Sequence, residues 1–389
     1  MGQYQEKDMD VLEASRLPVG EGRQLIDRLE QERGLPKPKM AALIASNCSE
    51  LREYAGAKAR AIADARYGKG IFIRGLIEFT NYCKNDCYYC GIRRGNAKAK
   101  RYRLSVEDIM ACCKEGERLG FRTFVLQGGE DPYYTDGRMV ELIRRIRAAY
   151  PECAITLSIG ERERESYKRF WEAGADRYLL RHETADESHY RVLHPHNLSL
   201  AHRMQCLKNL KEIGFQTGCG FMVGSPGQTA RHLAEDFAFI GQLRPEMVGI
   251  GPFIPHHDTP LSNEARGSLE LTLYLLSLLR IQQPDLLLPA TTALATIHPR
   301  GRELGIEAGA NVVMPNLSPS GMRDKYSLYD GKACTGDEAA ECRECLELRI
   351  ESVGYHVVVG RGDHRGHKNA DGVLEVGEIK KRGGMYESW

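Results

Sequence analysis

The chain has 389 residues, with 54 lysine and arginine side chains against 53 aspartate and glutamate and a formal net charge of +1. This balance gives no overall attraction to nucleic acid or to an acidic membrane, and no apolar run reaches the roughly 18 residues that a membrane-spanning helix needs. Because the opening residues, MGQYQEKDMD, contain no apolar signal core, we expect a cytoplasmic protein without membrane or nucleic-acid partners.

The pattern of apolar residues divides the chain into three parts. Residues 1–68 predict an N-terminal helical extension, and 356–389 a polar C-terminal tail rich in Gly, His, Lys and Arg. Between them, residues 69–355 alternate strands with amphipathic helices, which predicts an α/β fold, a closed (β/α)8 TIM barrel, with an open doubly wound sheet as the alternative. The predicted strands are 71–79, 121–127, 154–159, 177–182, 215–223, 247–254, 286–293 and 310–316.

The most specific motif is the segment EFTNYCKNDCYYCGIRR at 78–94, in which three cysteines have the spacing C-x3-C-x2-C: Cys83, Cys87 and Cys90. An iron–sulfur cluster normally takes four thiolates, so three ligands leave one iron of a [4Fe–4S] cluster open for chemistry. Zinc is the alternative, although structural zinc sites usually have a fourth Cys or His at short spacing. Buried packing cysteines and a disulfide framework fit less well, because the intervening residues are polar and no secretion signal precedes them.

The cysteine loop follows a strand-like run at 71–80 and carries an aromatic residue, Tyr89, before its third cysteine. This arrangement resembles the radical S-adenosylmethionine (SAM) superfamily, whose open iron binds the amine and carboxylate of SAM. In that superfamily, reduction of the cluster cleaves SAM to methionine and a 5′-deoxyadenosyl radical. The resemblance implies a [4Fe–4S] cluster and SAM as cofactors, and an electron donor such as ferredoxin or flavodoxin.

The same resemblance assigns SAM-binding roles to residues at later strand ends. The segment QGGED at 127–131 resembles the glycine-rich motif that holds the SAM amino group, although adjacent glycines alone indicate only a turn. By resemblance, Glu183 accepts hydrogen bonds from the ribose and Arg203 pairs with the carboxylate, while Met222 is equally consistent with core packing. The residues predicted to bind SAM are Tyr89, Gly128, Gly129, Glu130, Ser158, Glu183, Arg203 and Met222.

A second cysteine set lies near the C-terminus, where Cys334, Cys342 and Cys345 have the spacing C-x7-C-x2-C. It predicts a second iron–sulfur cluster, [2Fe–2S] or [4Fe–4S], with unrelated cysteines at a helix start as the alternative. Twelve cysteines in a chain without a secretion signal are typical of a reducing compartment, where disulfides are rare.

Several segments together resemble the [FeFe]-hydrogenase maturase HydE family: YCKNDCYYCGIRRGN, LQGGEDPYY, YLLRHETAD, VGIGPFIPHHDTPL, PATTALATI and ANVVMPNLSP. The resemblance implies a radical SAM enzyme that works with other hydrogenase maturases to assemble the dithiolate-bridged diiron subcluster. The implied substrate is a small organometallic complex, a cysteine-bound iron–dicarbonyl–cyanide precursor. The alternatives are a radical SAM mutase or sulfur-inserting enzyme of the biotin-synthase type, and a non-enzymatic iron-cluster carrier.

Polar residues at inward positions of the proposed strands predict a cavity for such an anionic complex. They offer mainly hydrogen-bond donors and cations, the groups that recognise anions. Two tyrosines after the eighth strand are predicted to close one end of the cavity. The residues predicted to contact the substrate are Arg74, Gln127, Thr156, Arg181, Thr291, Thr292, Tyr326 and Tyr329.

Overall fold

A computed structural model describes residues 16–333 and 342–366 of the protein, beginning with three helices. These are α1 (Val19–Glu32), α2 (Lys37–Ala45) and α3 (Ser49–Tyr67). They pack on the outside of the barrel, α1 and α3 against α10 (Leu269–Gln282) and α2 against α9 (Ala230–Leu243). Because α10 is covered on both sides, nearly all of its residues from Tyr274 onward are buried, as expected for a helix that is apolar all round.

Parallel strands form the centre of the molecule. A six-stranded sheet has the order β2-β3-β4-β5-β6-β8, and β10-β1-β11 and β7-β9 form smaller sheets. The strands are β1 (Gly70–Ile73), β2 (Gly75–Thr80), β3 (Thr123–Gly128), β4 (Ala154–Ser158), β5 (Arg177–Leu179), β6 (Gln216–Cys219), β7 (Met222–Val223), β8 (Met247–Val248), β9 (Gly251–Pro252), β10 (Val312–Val313) and β11 (His356–Val358).

Single parallel bridges close this sheet into a barrel. Met247 of β8 pairs with Leu287, Pro289 pairs with Val312 of β10, and the ladder returns to the first strand where Leu76 pairs with Asn316. The predicted closed parallel barrel is therefore confirmed. The seventh predicted strand, 286–293, forms only these bridges among the described residues, because Pro289 has no N–H to donate and a helix begins at Thr292.

Helices connect the strands on the outside. Helix α4 (Val106–Arg118) begins with a capping box, in which Ser105 Oγ accepts from Asp108 N at 3.0 Å and the Asp108 carboxylate accepts from Ser105 N at 3.1 Å. In the described ranges, no helix is both long and apolar enough to cross a membrane. The remaining helices are α4 (Val106–Arg118), α5 (Asp136–Ala149), α6 (Arg164–Glu172), α7 (Glu187–Leu193), α8 (Leu200–Ile213), α11 (Thr292–Ile297), α12 (Gly301–Glu307), α13 (Ser320–Arg323) and α14 (Arg343–Glu351).

Residues 360–366, which we call the basal segment, cover the N-terminal end of the barrel. The carboxylate of Asp363 pairs with Arg177 and accepts from Gln216 Nε2 at 2.6 Å, and Thr123 Oγ1 donates to the Arg361 carbonyl at 2.8 Å. Since Thr123, Arg177 and Gln216 are the first residues of their strands, the segment lies across the strand beginnings.

This arrangement corrects the predicted polar tail. Strand β11, which starts at His356, pairs in parallel with β1, so the predicted boundary at 356 falls inside the sheet. The polar groups of the basal segment bond to a buried side chain rather than to solvent, since Arg177, the partner of Asp363, is only 1% exposed. Residues 367–389 lie outside the described residues.

Candidate active site

A cavity of about 310 Å³ lies at the C-terminal ends of the strands, within the range of roughly 300–1,000 Å³ typical of small-molecule sites. Most of the residues predicted from the sequence lie on its wall. They are Cys83, Cys87, Tyr89, Cys90, Gln127, Gly128, Gly129, Glu130, Ser158, Arg181, Glu183, Arg203, Met222, Thr291, Thr292, Tyr326 and Tyr329.

The loop that carries the three cysteines is fixed against the end of β3. Lys84 N donates to the Glu130 carbonyl at 2.9 Å, which joins the loop to the QGGED segment. A Cβ at Gly129 would collide with the backbone of Tyr82 and lie 2.8 Å from Cys83 Cβ. Glycine is therefore required there for the two loops to approach each other closely.

All three cysteines of this loop are free thiols. Burial raises the pKa of Cys90 to about 12 and raises the pKa values of Cys83 and Cys87 as well, so the thiols keep their protons until a metal displaces them. Among the described residues that line the cavity there is no further cysteine or histidine. A metal cluster held by these three sulfurs would therefore keep one metal without a protein ligand.

Glu183 has a backbone conformation that is rare for any residue except glycine. Its φ is 66°, and hydrogen bonds hold it there, from Glu183 N to the Gly220 carbonyl at 3.0 Å and from Met222 N to the Glu183 carbonyl at 3.3 Å. Glu183 Oε2 is buried without a hydrogen bond, and Arg181 Nη2 lies 3.2 Å away. Strained backbone and an unsatisfied buried carboxylate together point to a ligand at this position.

Arg203 extends from α8 into the cavity wall and is already partly paired. Its Nε bonds to the carboxylate of Glu161, and its Nη1 donates to the Arg181 carbonyl at 2.9 Å. Glu161 N in turn donates to Glu130 Oε1 at 3.0 Å. Glu161 thus links two predicted SAM residues, a connection that the sequence analysis missed.

Gly160 is a second missed residue of the cavity wall. It has a φ of 78°, and a Cβ there would collide with the Glu130 side chain. Its position directly after β4 was the available signal, because active-site groups collect at the C-terminal ends of barrel strands. The other missed wall residues are mainly apolar: residues 251–254, Asn85, Ile92, Leu179, Leu180, Ala293 and Leu328.

A sequence profile of the radical SAM superfamily matches residues 77–240, the part of the chain that carries the cysteine loop and the residues predicted to bind SAM. The [FeFe] hydrogenase maturase subunit HydE of Thermotoga maritima is 44% identical over 333 residues, covering 86% of this chain and 94% of the relative. The chain belongs to the HydE family. It is a radical SAM enzyme.

Solved structures agree with this fold. The crystal structure of methylornithine synthase (PylB) superposes with a TM-score of 0.76 at 28% identity and covers 86% of this chain and 97% of that protein. The maturase HydG from Carboxydothermus hydrogenoformans also gives a TM-score of 0.76, over 90% of this chain and 82% of HydG. At 23% identity the second likeness shows the fold alone.

Membership of the HydE family makes a [4Fe–4S] cluster and SAM the cofactors of this chain. The cavity fits both. Three thiols on one wall match the cluster, and two buried carboxylate oxygens without a hydrogen bond stand nearby to receive SAM: Glu130 Oε2 and Glu183 Oε2. When bound, the reduced cluster supplies the electron that cleaves SAM.

Six of the eight residues predicted to bind the HydE-type substrate line the cavity. Arg181, on the wall, has its Nε and Nη2 buried without hydrogen bonds. Tyr326 contacts Gln127, and burial raises its pKa well above the ordinary value, so its hydroxyl stays neutral. Thr291 Oγ1 donates to the Ile250 carbonyl at 3.2 Å and therefore offers only lone pairs to a ligand, contrary to its predicted role as a donor.

Two predicted substrate residues do not line the cavity. Thr156 is buried, and its Oγ1 lacks a partner. Arg74 lies beside the basal segment, where Nη2 donates to the Gly362 carbonyl at 3.3 Å and Nη1 to Met247 Sδ at 2.9 Å. The prediction for Arg74 is wrong for this cavity, because strand alternation gives the face of a side chain but not its depth along the barrel.

The second cysteine set is only partly described. Cys342 and Cys345 form a disulfide at the start of α14, with their Cα atoms 5.3 Å apart, whereas the sequence predicted free thiolates. Neither sulfur can bind iron while the two are joined to each other. Cys334 lies outside the described residues, so the predicted second cluster stays a prediction.

Proposed function

We propose that this protein acts in [FeFe]-hydrogenase maturation, cleaving SAM to modify a small anionic organometallic precursor of the diiron subcluster. The observation that carries the proposal is the shared cavity wall, on which the three thiols of the cysteine loop stand with the guanidinium of Arg181. Its Nε and Nη2 are buried without a hydrogen bond, and Nη2 lies 3.2 Å from the Glu183 carboxylate. A hydrocarbon substrate would leave two buried nitrogen atoms of this cation without hydrogen bonds, which costs free energy. A cyanide- or carboxylate-bearing complex would pair with it.

SAM would lie between the cysteine loop and the strand ends. Glu183 would accept hydrogen bonds from the ribose hydroxyls, because it lines the cavity and its buried Oε2 has no hydrogen bond. Arg203 would bind the SAM carboxylate, with Glu161 holding its Nε in place. The Gly128–Glu130 segment would hold the amino group, since glycine allows the backbone to approach a ligand closely.

The substrate would occupy the part of the cavity on the far side of SAM from the cysteines. Arg181 and Thr292 would donate to its anionic groups, while Tyr326 and Tyr329 would shield it from water. Excluding water strengthens these interactions and protects reactive species. The electron would come from a ferredoxin or flavodoxin in a reducing cytoplasm, and the other hydrogenase maturases would supply the precursor and receive the product.

The proposal is tested by in vitro maturation of apo-hydrogenase with the other two maturases, comparing the wild-type chain with Cys87→Ala. The wild type should release 5′-deoxyadenosine and yield active hydrogenase, and the variant should do neither. Cys48→Ala is the matched control, because Cys48 is a free, partly buried cysteine outside the cavity, and it should behave like the wild type.

Each alternative has its own result in this experiment. If the reduced wild-type protein supports maturation without releasing 5′-deoxyadenosine, the protein is an iron-cluster carrier and the enzymatic proposal fails. If it releases 5′-deoxyadenosine but never supports maturation, the radical SAM activity stands and the hydrogenase substrate is wrong.

A further inference from the structure

Residues 93–103, which we call the basic loop, concentrate positive charge beside the cysteine loop. Six of these eleven residues are Lys or Arg and none is acidic, whereas the whole chain has a net charge of only +1. A local excess of one sign on a nearly neutral protein creates a field that steers oppositely charged partners.

The cations of this region point outward and their acidic partners lie beneath them. The Lys98 side chain is 79% exposed while its partner Asp258 is 11% exposed, at an Nζ–Oδ1 distance of 2.7 Å. The same relation holds for Arg103, 34% exposed, above Asp131, 1% exposed. The surface therefore presents positive charge although three of the six cations, Arg93, Lys98 and Arg103, form ion pairs.

Two further cations of the basic loop carry no counter-charge. Arg94 and Lys100 are exposed and form no ion pair with any residue in the described ranges. An exposed cation without an ion-pair partner contributes its charge to the surface potential, and dissolved salt screens that potential.

The basic loop is bonded directly to the loop that holds the cluster. Arg94 N donates to the carbonyl of Asn85, between the first two cysteines, at 2.8 Å. The Arg101 guanidinium donates to the Ile92 carbonyl at 2.8 Å and also bonds to the Asn81 carbonyl. A protein docked on the basic loop would thus sit against the outer side of the cysteine loop.

We infer that the basic loop is the docking surface for an acidic electron-donor protein that reduces the cluster. The inference rests on the proposed function, since only a redox-active cluster needs a donor. One electron leaves the flavin or iron–sulfur group of the donor and enters the cluster, and no atom is transferred. Complementary charge raises the association rate of such short-lived complexes more than it raises their affinity.

The loop is poorly suited to nucleic acid. Single-stranded nucleic acid binds to exposed aromatic rings beside basic residues, but Tyr102 within the loop is buried and its hydroxyl donates to the Glu78 carbonyl at 2.6 Å. The neighbouring Tyr82 ring is covered by the Arg103 guanidinium, 3.8 Å from its centroid.

The test compares the cluster-loaded wild type with an Arg94→Glu/Lys100→Glu variant, using flavodoxin hydroquinone as the probe. At low salt, stopped-flow absorbance should show the variant's cluster reduced by flavodoxin about tenfold more slowly, and titration calorimetry should show weaker flavodoxin binding. At high salt the two proteins should converge, because screening removes the steering.

Lys114→Glu/Lys208→Glu is the matched control, since it reverses two exposed charges on α4 and α8. It should retain the wild-type rate and affinity, and both variants should give the wild-type yield of 5′-deoxyadenosine with excess dithionite. Equal flavodoxin rates for the two variants would overturn the inference, as would a basic-loop variant that loses only maturation, which would make the loop a site for another maturation protein. Absence of 5′-deoxyadenosine from the wild type under dithionite would instead overturn the proposed function.

Discussion

His182 Nε2 lies 3.1 Å from Asp236 Oδ1, and both side chains are fully excluded from solvent. His182 Nδ1 accepts from Gly220 N at 3.3 Å, so the ring proton is on Nε2, and Asp236 Oδ1 also accepts from Ala185 N at 2.6 Å. Burial lowers the pKa of His182 to about 3 and raises that of Asp236 well above its ordinary value. Both side chains are therefore uncharged. We call the pair a brace, because Asp236 bonds to residues on both sides of Glu183: His182 and Ala185.

Replacing Asp236 tests this brace. Asp236→Ala leaves the N–H groups of His182 and Ala185 buried without an acceptor, each costing about 1–3 kcal/mol, so we expect lower unfolding free energy and at least tenfold weaker SAM binding. Asp236→Asn keeps the accepting oxygen and should bind SAM within about threefold of wild type. Denaturant unfolding and equilibrium SAM binding measure both effects, and equal SAM affinities for Ala and Asn would show that the brace does not position Glu183.

The two threonines of the cavity should differ as anion ligands. Thr292 makes no side-chain hydrogen bond to a described residue, whereas the Thr291 hydroxyl already donates to the Ile250 carbonyl. A hydrogen bond to a charged group contributes about 1.5–3 kcal/mol, so Thr292→Val should weaken anion binding about tenfold or more and Thr291→Val less than threefold. Infrared titration of azide into SAM-saturated protein measures this, with unchanged 5′-deoxyadenosine release as the control; equal losses would contradict the assignment.

A buried ion pair fixes the segment that carries Tyr326. Lys332 bonds to the carboxylate of Glu78, which has no exposed surface, and donates to the Tyr326 carbonyl at 3.1 Å. Truncating one partner of a buried pair costs about 3–5 kcal/mol, so Lys332→Met should destabilise the protein and increase hydrogen exchange over 325–333. Lys325→Met, on the same segment, is the control, and a Glu78→Gln/Lys332→Met double variant should recover part of the loss. No change in exchange over this segment would exclude the fixing role.

The basal segment should make the barrel sensitive to acid. Burial alone raises the pKa of Asp363, but the guanidinium groups of Arg177 and Arg361 hold it well below its ordinary value of 3.8. As the pH falls below about 4, Asp363 binds a proton in the unfolded chain but not in the folded chain. Its stabilisation is therefore present above about pH 4 and is lost as the pH falls further.

Asp363→Asn should therefore unfold more easily than wild type at neutral pH, by about 2 kcal/mol or more. Its unfolding free energy should also fall less steeply below about pH 5. Denaturant titrations at several pH values measure the difference. Parallel pH profiles for wild type and variant would show that Asp363 does not carry the acid sensitivity.

The sequence predicted the cysteine loop and the barrel because both are encoded locally. Cys83 and Cys90 are seven positions apart, and strands alternating with helices repeat along the chain, so neither needs knowledge of distant contacts. The basal segment was missed for the opposite reason, since Asp363 and Arg177 are separated by 186 positions and a polar, glycine-rich run is usually solvated.

The sequence also did not predict the backbone conformation of Glu183 or the depth of Arg74 in the barrel. The residues around Glu183 in the sequence do not indicate a φ of 66°, because the hydrogen bonds that hold it come from Gly220, which follows β6, and from Met222 of β7. Arg74 is buried, yet it bonds to Gly362, a residue that the sequence analysis had assigned to the polar C-terminal tail. Alternation along a strand specifies a face, whereas depth depends on which chain segment closes the barrel.

The basal segment closes the described part of the barrel at the N-terminal ends of its strands. With Asp363 and Arg177 paired across the strand beginnings, we expect SAM, the substrate and every product to pass the same rim at the strand ends, beside the cysteine loop. Molecules that share one opening bind in sequence. The molecule that binds last covers those bound deeper in the cavity, and it has to leave before they can. If the substrate lies deeper than SAM, it has to be loaded before SAM binds, and the finished product is released only after methionine and 5′-deoxyadenosine have departed.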